Sequence, residues 1–282
     1  MDDHHINAVL RAIEDKPDVV LVGGNAIVVW VRHYTSAPEF AVSDVVTTRD
    51  IDFLGTPKRA RELAAAVDAS IRVADTDDLG PSNAVLDLGS KNEDDERIDF
   101  INHVQGPGGD VVRAAVSLPI RLPGDPVGTL TTVRIMHPLH CLQSKLANRL
   151  VIGRTGASAQ AQLEATTVVL REYVSEMLDQ ATKQSIKLAM KTLERLGDYL
   201  QRDFNGRHAD QQMARDPLVV LEQFAKDGRL PELYRQHQVA GAIERVREMR
   251  SRRSPGTKEG WNSGVPSRAT GDGPESQPDR GP

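Results

Sequence analysis

The sequence lacks the features that disulfide-rich, zinc-finger and membrane-spanning proteins need. Its 282 residues include a single cysteine, Cys141, which excludes an internal disulfide framework and a cysteine-based zinc finger. The apolar runs are short, as at 26–31, whereas a membrane-spanning helix needs about 20 apolar residues. The first ten residues, MDDHHINAVL, are acidic and contain no basic segment of the kind that opens a secretory signal. We therefore expect a cytoplasmic protein with no membrane partner.

Charge is unevenly distributed along a chain of otherwise ordinary composition. Hydrophobic residues make up 39% and charged residues 27%, which is typical of a globular protein and excludes a fully disordered one. Residues 1–150 carry 15 Lys and Arg against 22 Asp and Glu, whereas residues 183–253 carry 15 against 10. An acidic first half favours contact with cations, and a basic second half favours contact with polyanions. Ordinary charged helix surfaces would give the same distribution.

Three zones differ in pattern along the chain. Residues 1–136 alternate short apolar runs with Gly-, Pro- and Asp-rich breaks, which predicts strands interleaved with helices in a mixed α/β or α+β sheet region. Residues 137–250 have apolar residues at spacings of three and four, which predicts helices, and residues 251–282 have the Gly-, Pro- and Ser-rich composition of a disordered tail. The predicted strands are 19–22, 51–54, 71–74, 84–88, 97–104 and 130–136. The predicted helices are 6–15, 26–34, 58–68, 137–150, 160–180, 183–204, 217–226 and 231–250.

A predicted buried strand runs into two glycines and then into a predicted helix. Gly23 and Gly24 permit a tight turn and allow a ligand to approach the backbone closely. The free N–H groups and the dipole at the start of the helix favour phosphate, and Asn25 is expected to cap the helix. Ordinary strand-to-helix turns have the same composition, and the sequence is neither GxGxxG nor a Walker A motif.

The segment 47–54, TTRDIDFL, contains two aspartates at strand spacing. Alternate residues of a strand point to the same face, so Asp50 and Asp52 are expected to project together. The intervening Ile51 and the following Phe53 would then face the core. Two carboxylates about 7 Å apart by strand rise repel each other unless a cation lies between them. Their oxygens suit Mg²⁺ or Mn²⁺, and the alternative is a pair of solvated aspartates at a strand edge.

The segment 97–101, RIDFI, repeats the apolar–Asp–apolar pattern on a second predicted strand. If this strand lies beside the first, Asp99 becomes a third carboxylate at the same site. Three clustered carboxylates indicate a two-metal centre, and the third can also accept a proton from an attacking hydroxyl. Taken alone, Asp99 is an ordinary polar residue of a strand.

The order of these features resembles one family of enzymes. A strand, a Gly-Gly turn, a helix, an Asp-x-Asp strand and a later strand aspartate are typical of the nucleotidyltransferase superfamily with the DNA-polymerase-β-like palm. The stretches VGGNAIVVW, TTRDIDFLG and MHPLHCLQSKLANRL resemble the bacterial abortive-infection toxin nucleotidyltransferases of the AbiEii type. The resemblance covers roughly residues 17–150.

The resemblance implies an α+β fold and a role for each residue of the site. The fold would be a nucleotidyltransferase-type mixed sheet with flanking helices at 1–136, followed by the helical region 137–250 and the tail. Asp50 and Asp52 would bind both divalent ions, and Asp99 would bind the catalytic ion and help to deprotonate the acceptor. The residues expected to contact the nucleotide are Gly23, Gly24, Asn25, Lys145 and Arg49.

The expected activity is metal-dependent transfer of NMP from an NTP to an acceptor hydroxyl, with tRNA or another RNA as a candidate acceptor. The resemblance also suggests the toxin of a toxin–antitoxin system, with an antitoxin protein as partner. Four basic residues recur at four-residue spacing on one predicted helix, namely Lys183, Lys187, Lys191 and Arg195. This basic row either contacts an RNA backbone or only keeps the helix surface soluble. One alternative is a non-catalytic protein of the same fold that binds nucleotide, RNA or a protein partner. Another is an enzyme that modifies an antibiotic or a protein hydroxyl at the same centre.

Overall fold

The computed structural model describes residues 3–40, 50–75, 80–89, 97–108, 110–122 and 124–253. Within these residues, a sheet and its helices come first and the chain after residue 136 is helical, in agreement with the expected α+β class. The predicted tail lies outside the described residues from 254 onward. No helix in the described part of the chain combines the length and the apolar character needed to cross a bilayer.

Seven strands of the described residues form one mixed sheet. They are β1 (Val20–Val22), β2 (Ile51–Leu54), β3 (Ser70–Val73), β4 (Ser82–Asp87), β5 (Arg97–Ile101), β6 (Val116–Ile120) and β7 (Thr131–Ile135). Their order across the sheet is β3-β4-β5-β2-β1-β7-β6. β1 is parallel to β7 and β2 is parallel to β5, whereas the other neighbouring pairs are antiparallel.

The sequence predicts six of these strands to within a few residues and misses β6. β6 lies at one edge of the sheet, where it pairs only with β7 in the strand order. It contains Pro119, which has no N–H to donate and is therefore tolerated at an edge. The same residue argues against a strand when the sequence is read alone.

The predicted helices are present with shifts of a few residues at their ends, whereas three helices of four residues each, at 111–114, 204–207 and 209–212, were not predicted. The helix predicted at 231–250 consists of a π-helix, Tyr234–Val239, that continues directly into an α-helix. The α-helices are α1 (Asp3–Ala12), α2 (Gly23–His33), α3 (Pro57–Ala66), α4 (Val111–Ala114), α5 (Pro138–Leu150), α6 (Ala157–Asp179), α7 (Lys183–Arg202), α8 (Phe204–Arg207), α9 (Ala209–Gln212), α10 (Leu218–Phe224) and α11 (Ala240–Ser251).

Two helix starts near the sheet are fixed by a cap followed by proline. The Thr56 side chain accepts a backbone N–H of the first turn of α3, and Pro57 occupies the first helical position. At α5, Nδ1 of His137 accepts the Leu139 N–H at 3.1 Å and Pro138 occupies the first position. Proline suits this position because its missing N–H would have no partner within the helix.

Alternation along the strands gives the sheet an apolar face and a polar face. Phe53 of β2 and Phe100 of β5 are fully buried, with ring centroids 5.5 Å apart. Each ring contributes about 1.5–3 kcal/mol by leaving water. Leu86 of β4 and Leu63 of α3 belong to the same core, and α3 packs against β3 and β4. The polar residues of β2 and β5 lie between these apolar ones and point to the other face.

Two hydrophobic cores share the helices α5 and α6. The core under the sheet includes Cys141 from α5 and Tyr173 from α6. The second core, within the helical region, includes Leu142 from α5 and Leu170 from α6. Because each helix contributes to both cores, and because both contact α2, the sheet and the helical region are joined by continuous packing.

Polar contacts reinforce the packing of α2 on α6 and on the start of α5. The indole N–H of Trp30 donates to the backbone oxygen of Met136 at 2.9 Å. The Tyr34 hydroxyl donates to Oε2 of Glu176 at 2.6 Å, and Nε2 of His33 lies 3.4 Å from the same oxygen.

Glu39, which follows α2, is held by two arginines of the helical region. Arg171 contacts both carboxylate oxygens, with distances of 2.5 and 2.9 Å, and Arg215 contacts Oε1 at 2.7 Å. Hydrogen bonds from Arg171 and then from Arg215 lower the pKa of Glu39 to about 2. The ion pairs therefore tie the end of the α2 segment to α6 and to the segment before α10.

We expect the variant Glu39→Gln to be less stable than the wild type at pH 7 and equally stable near pH 2. The pKa of Glu39 is below its ordinary value of 4.5 in the folded state, so its stabilising effect is complete above that value and is lost as the pH falls to about 2. Chemical denaturation from pH 7 to pH 2 measures the convergence. Glu248→Gln, which removes an exposed ion pair with Arg252, is the control with little effect. Equal stability of Glu39→Gln and wild type at pH 7 would contradict the prediction.

Candidate active site

Asp52 and Asp99 lie side by side on the polar face of the sheet. β2 and β5 are parallel neighbours, and Asp52 is the register partner of Asp99. Register partners on adjacent strands point to the same face. In each strand, the residues directly before and after the aspartate are buried members of the core, whereas the aspartate itself is only half-buried. The two carboxylates, which are far apart along the chain, therefore share one half-buried surface.

The Gly-Gly turn packs against the carboxylate of Asp52. Gly23 follows β1 and has a φ of +66°, a left-handed conformation that favours glycine. Val22 pairs with Asp52 across β1 and β2, which brings the backbone of Gly23 against the Asp52 side chain. A Cβ at Gly23 would overlap Oδ2 of Asp52 and lie 2.8 Å from its Cγ. Glycine is required here by both conformation and space.

Asn25 does not cap α2, contrary to the expectation from the sequence. The left-handed Gly23 turns the chain directly from β1 into the helix, so α2 begins at Gly23 and the cap position falls on Val22. Asn25 lies in the first helical turn, where its Nδ2 donates to the backbone oxygen of Asp50 at 2.5 Å. The side chain therefore links the start of α2 to the residue before β2.

Asp50 lies just outside β2, which begins at Ile51. The strand alternation that would align Asp50 with Asp52 therefore does not extend to it, although its charge still raises the pKa of Asp52. Among the described residues, no group of three His, Cys, Asp or Glu side chains is arranged to hold a metal ion. Strand pairing thus brings Asp52 and Asp99 together, and Asp50 lies just before β2 and close enough to act on the pKa of Asp52.

Lys145 is a buried side chain rather than a solvated helix lysine. It lies on α5 with 8% of its surface exposed. Its Nζ donates to Oε1 of Gln162 on α6 at 2.5 Å. Burial lowers the pKa of Lys145, whereas the nearby Cys141 and Asp52 raise it. The Lys145 side chain of the helical region thus lies close enough to Asp52 for each group to shift the pKa of the other.

The pKa of Asp52 reflects its unusual surroundings. Burial and then the charge of Asp99 raise it from 3.8 to about 6. Lys145 and Arg154 act in the opposite direction. The raised pKa of Asp52 therefore reflects first its burial and then the neighbouring carboxylates, whose effect the two cations oppose. Such a perturbed carboxylate is typical of functional sites.

Three residues near the site were not predicted from the sequence. Ser82 donates from its Oγ to Oδ1 of Asp99 at 3.3 Å. Gln162 positions Lys145, and Arg154, after α5, is close enough to affect the pKa of both Asp52 and Lys145. Of these three, only Gln162 could have been noticed in the sequence, since it is a polar residue next to the apolar positions of α6.

The other residues predicted from the sequence to contact nucleotide or RNA lie in different surroundings. Gly24 is buried in the first turn of α2, and Arg49 lies outside the described residues. The basic row on α7 is shorter than expected. Lys183, Lys187 and Lys191 are exposed, but Arg195 is turned inward, with its guanidinium 2.8 Å from Nε2 of His140.

The donor set at Asp52 and Asp99 fits a hard divalent cation. Carboxylate oxygens are ligands that Mg²⁺ and Mn²⁺ prefer. Strand pairing and the Gly23 turn hold the two carboxylates together, and a cation between them would offset their repulsion.

In comparisons with known proteins, no family model and no curated protein matches this chain. Among solved structures, the chain is similar to the crystal structure of JHP933 from Helicobacter pylori, with 14% sequence identity and a TM-score of 0.36. The alignment covers 88% of this chain and 90% of that chain. A likeness at this level defines neither a family nor a function for the protein.

In metal-free protein, the variant Asp99→Asn is expected to lower the pKa of Asp52 from about 6 toward its ordinary value of 3.8, because it removes a neighbouring like charge. Lys145→Met is expected to raise the pKa of Asp52, because it removes a compensating cation. Carboxyl ¹³C NMR titration of Asp52 measures both shifts, and the exposed Asp15→Asn is the control. If neither variant moved the titration, the charge coupling described above would be wrong.

Gly23→Ala is expected to strain the backbone and also to displace the Asp52 carboxylate. A left-handed residue other than glycine costs about 1–3 kcal/mol, and the overlap with Asp52 adds to this cost. Gly128→Ala is the matched control, since Gly128 has a φ of +94° and its added Cβ meets no atom within 4 Å. Denaturation should show a larger loss for Gly23→Ala, and only this variant should alter the Asp52 titration. Identical losses would contradict the close packing.

Proposed function

We propose that this protein is a metal-dependent nucleotidyltransferase that transfers NMP from an NTP to an acceptor hydroxyl. The observation that supports this most directly is the pairing of Asp52 with Asp99 next to the Gly23 turn. We also propose that the sheet region is a nucleotidyltransferase-type palm. A half-buried carboxylate pair beside a glycine turn suits this chemistry, since it combines a place for a cation with backbone access for phosphates.

The triphosphate would lie along the Gly23-Gly24 turn at the start of α2, since the first-turn N–H groups of a helix favour phosphate oxygens. Lys145 would neutralise part of the phosphate charge. Its partner Gln162 is a neutral amide, so that hydrogen bond orients the ammonium without cancelling its charge. Asn25 would keep the start of β2 against this turn, and Arg49 is proposed as a further phosphate contact.

Asp52 and Asp99 would hold Mg²⁺ or Mn²⁺, with Asp50 as an additional ligand. When bound, the cation offsets the repulsion between the carboxylates and stabilises negative charge on the phosphates. The raised pKa of Asp52 means that cation binding would compete with a proton near neutral pH.

In the proposed reaction, the acceptor oxygen forms a bond to the α-phosphorus and the bond from that phosphorus to the pyrophosphate oxygen breaks. The proton of the acceptor hydroxyl passes to the carboxylate of Asp99. Ser82 donates to one oxygen of this carboxylate, which orients the group. Pyrophosphate leaves on the side of Gly23 and Lys145, where cationic and N–H groups stabilise its charge.

RNA is the acceptor that the charge distribution favours, with tRNA as a candidate. Lys183, Lys187 and Lys191 form an exposed basic row on α7, as a contact with an RNA backbone would require. A toxin role, with an antitoxin protein as partner, is part of the same proposal and depends on transfer to RNA.

The proposal is tested by incubating the protein with each of the four labelled NTPs in the presence of Mg²⁺ or Mn²⁺. The acceptor is either total RNA or a set of small hydroxylated compounds. We expect at least one acceptor to be labelled, and we expect Asp52→Ala to reduce the rate about 100-fold or more, because several kcal/mol of charge stabilisation are lost. Asp15→Asn, an exposed aspartate outside the site, should retain the wild-type rate. Removal of the metal with EDTA should stop the transfer.

Absence of labelling with all four NTPs and both metals would refute the transfer reaction and favour a non-catalytic binding protein. Labelling of RNA that falls steeply with salt would support the RNA acceptor. Labelling of small acceptors alone would support modification of a small molecule at the same centre.

A further inference from the structure

A depression in the sheet lies beyond Asp99, on the side away from the Gly23 turn. Its volume is about 150 Å³. It is lined by β3, β4, the start of β5 and the segment before β4. Two of the lining side chains, Arg72 and Arg97, are cationic and exposed. Of the residues that line it, only Ser82 takes part in the proposed reaction, through its hydrogen bond to Asp99.

Strand pairing puts this depression in line with the carboxylate pair. Val85 of β4, which lines the depression, pairs with Asp99 on one side and with Arg72 on the other. Asp99 in turn pairs with Asp52. Register partners share a face, so the four side chains form a row. With neighbouring strands about 4.8 Å apart, the row spans about 14 Å.

The depression is linked to Asp99 through a hydrogen bond. Ser82, which lines it, donates to Oδ1 of Asp99 at 3.3 Å. Arg97 lies two residues before Asp99 on β5 and therefore points to the same face. Asp87 is the register partner of Arg97, and its own carboxylate accepts the Gly89 N–H at 2.9 Å.

The direction of the proposed reaction assigns this depression to the acceptor. The attacking and leaving oxygens lie roughly in line on opposite sides of the transferred phosphorus. The Gly23 turn follows β1, which borders β2 on the side opposite β5. If the leaving pyrophosphate lies at this turn, the acceptor must approach from the Asp99 side, where the depression lies.

We propose that the depression binds the acceptor, and that Arg72 and Arg97 select an acceptor with a phosphate group close to its reactive hydroxyl. This inference rests on the proposed function. Guanidinium groups bind phosphate with paired, charge-assisted hydrogen bonds. Because Asp52 and Asp99 would repel an anionic acceptor, its phosphate needs cationic partners at this distance. The end of an RNA strand and a small sugar phosphate share this chemistry.

Binding without NTP tests the inference separately from activity. The probes are a fluorescein-labelled oligoribonucleotide with a free 3′-hydroxyl, measured by polarisation, and ribose 5-phosphate, measured by calorimetry. The double variant Arg72→Gln/Arg97→Gln is expected to bind at least one probe about tenfold more weakly or worse. The control Arg32→Gln/Arg61→Gln removes two exposed arginines on α2 and α3 and should bind both probes as the wild type does. Melting curves of both double variants establish that they are folded.

Selective loss of RNA binding would support an RNA end as the acceptor, and selective loss of ribose 5-phosphate binding would support a small sugar phosphate. The inference is overturned if the wild type binds neither probe, or if the two double variants bind both probes equally well. Arginine-dependent binding without any NMP transfer would refute the proposed function while leaving an anion site. Transfer at the wild-type rate in Arg72→Gln/Arg97→Gln would refute the acceptor site and leave the proposed function intact.

Discussion

The site depends on holding two like charges together at a place where water solvates them incompletely. Asp52 and Asp99 cannot separate, because each lies within a strand whose neighbouring residues are anchored in the core. A shift of register by one residue would bury both carboxylates and expose Phe53 and Phe100. The apolar face of the sheet therefore stabilises an arrangement that is unfavourable on its polar face. Lys145 offsets only part of that repulsion.

The strands and their faces are predictable from the sequence because a half-buried strand has its own period. Ile51, Asp52 and Phe53 are enough to define a polar and an apolar side, and the RIDFI segment repeats the pattern. Which strands are neighbours is a different matter. β3 and β4 lie between β2 and β5 along the chain, yet β2 and β5 are adjacent in the sheet. The adjacency of the two aspartates had to be assumed, since periodicity within one strand carries no information about its partner.

Features that depend on backbone conformation or on contacts between distant helices are not predictable in this way. The left-handed φ of Gly23 starts α2 early and gives Asn25 a different partner, which composition alone does not indicate. Gln162 and Arg154 reach the site only because α5 and α6 pack together. Arg195 follows the spacing of the basic row, but a buried histidine draws it inward.

The charge balance at the site comes from two different layers of the molecule. Asp52 belongs to the sheet, whereas Lys145 and its partner Gln162 belong to α5 and α6. The distance between acid and base is therefore set by how closely α2, which begins at Gly23, rests on those two helices. A small separation of α2 from α5 and α6 would leave Asp52 and Asp99 in place and still move the Lys145 ammonium group away from Asp52. The charge balance at the site is thus coupled to the packing of an interface between helices that contains neither Asp52 nor Asp99.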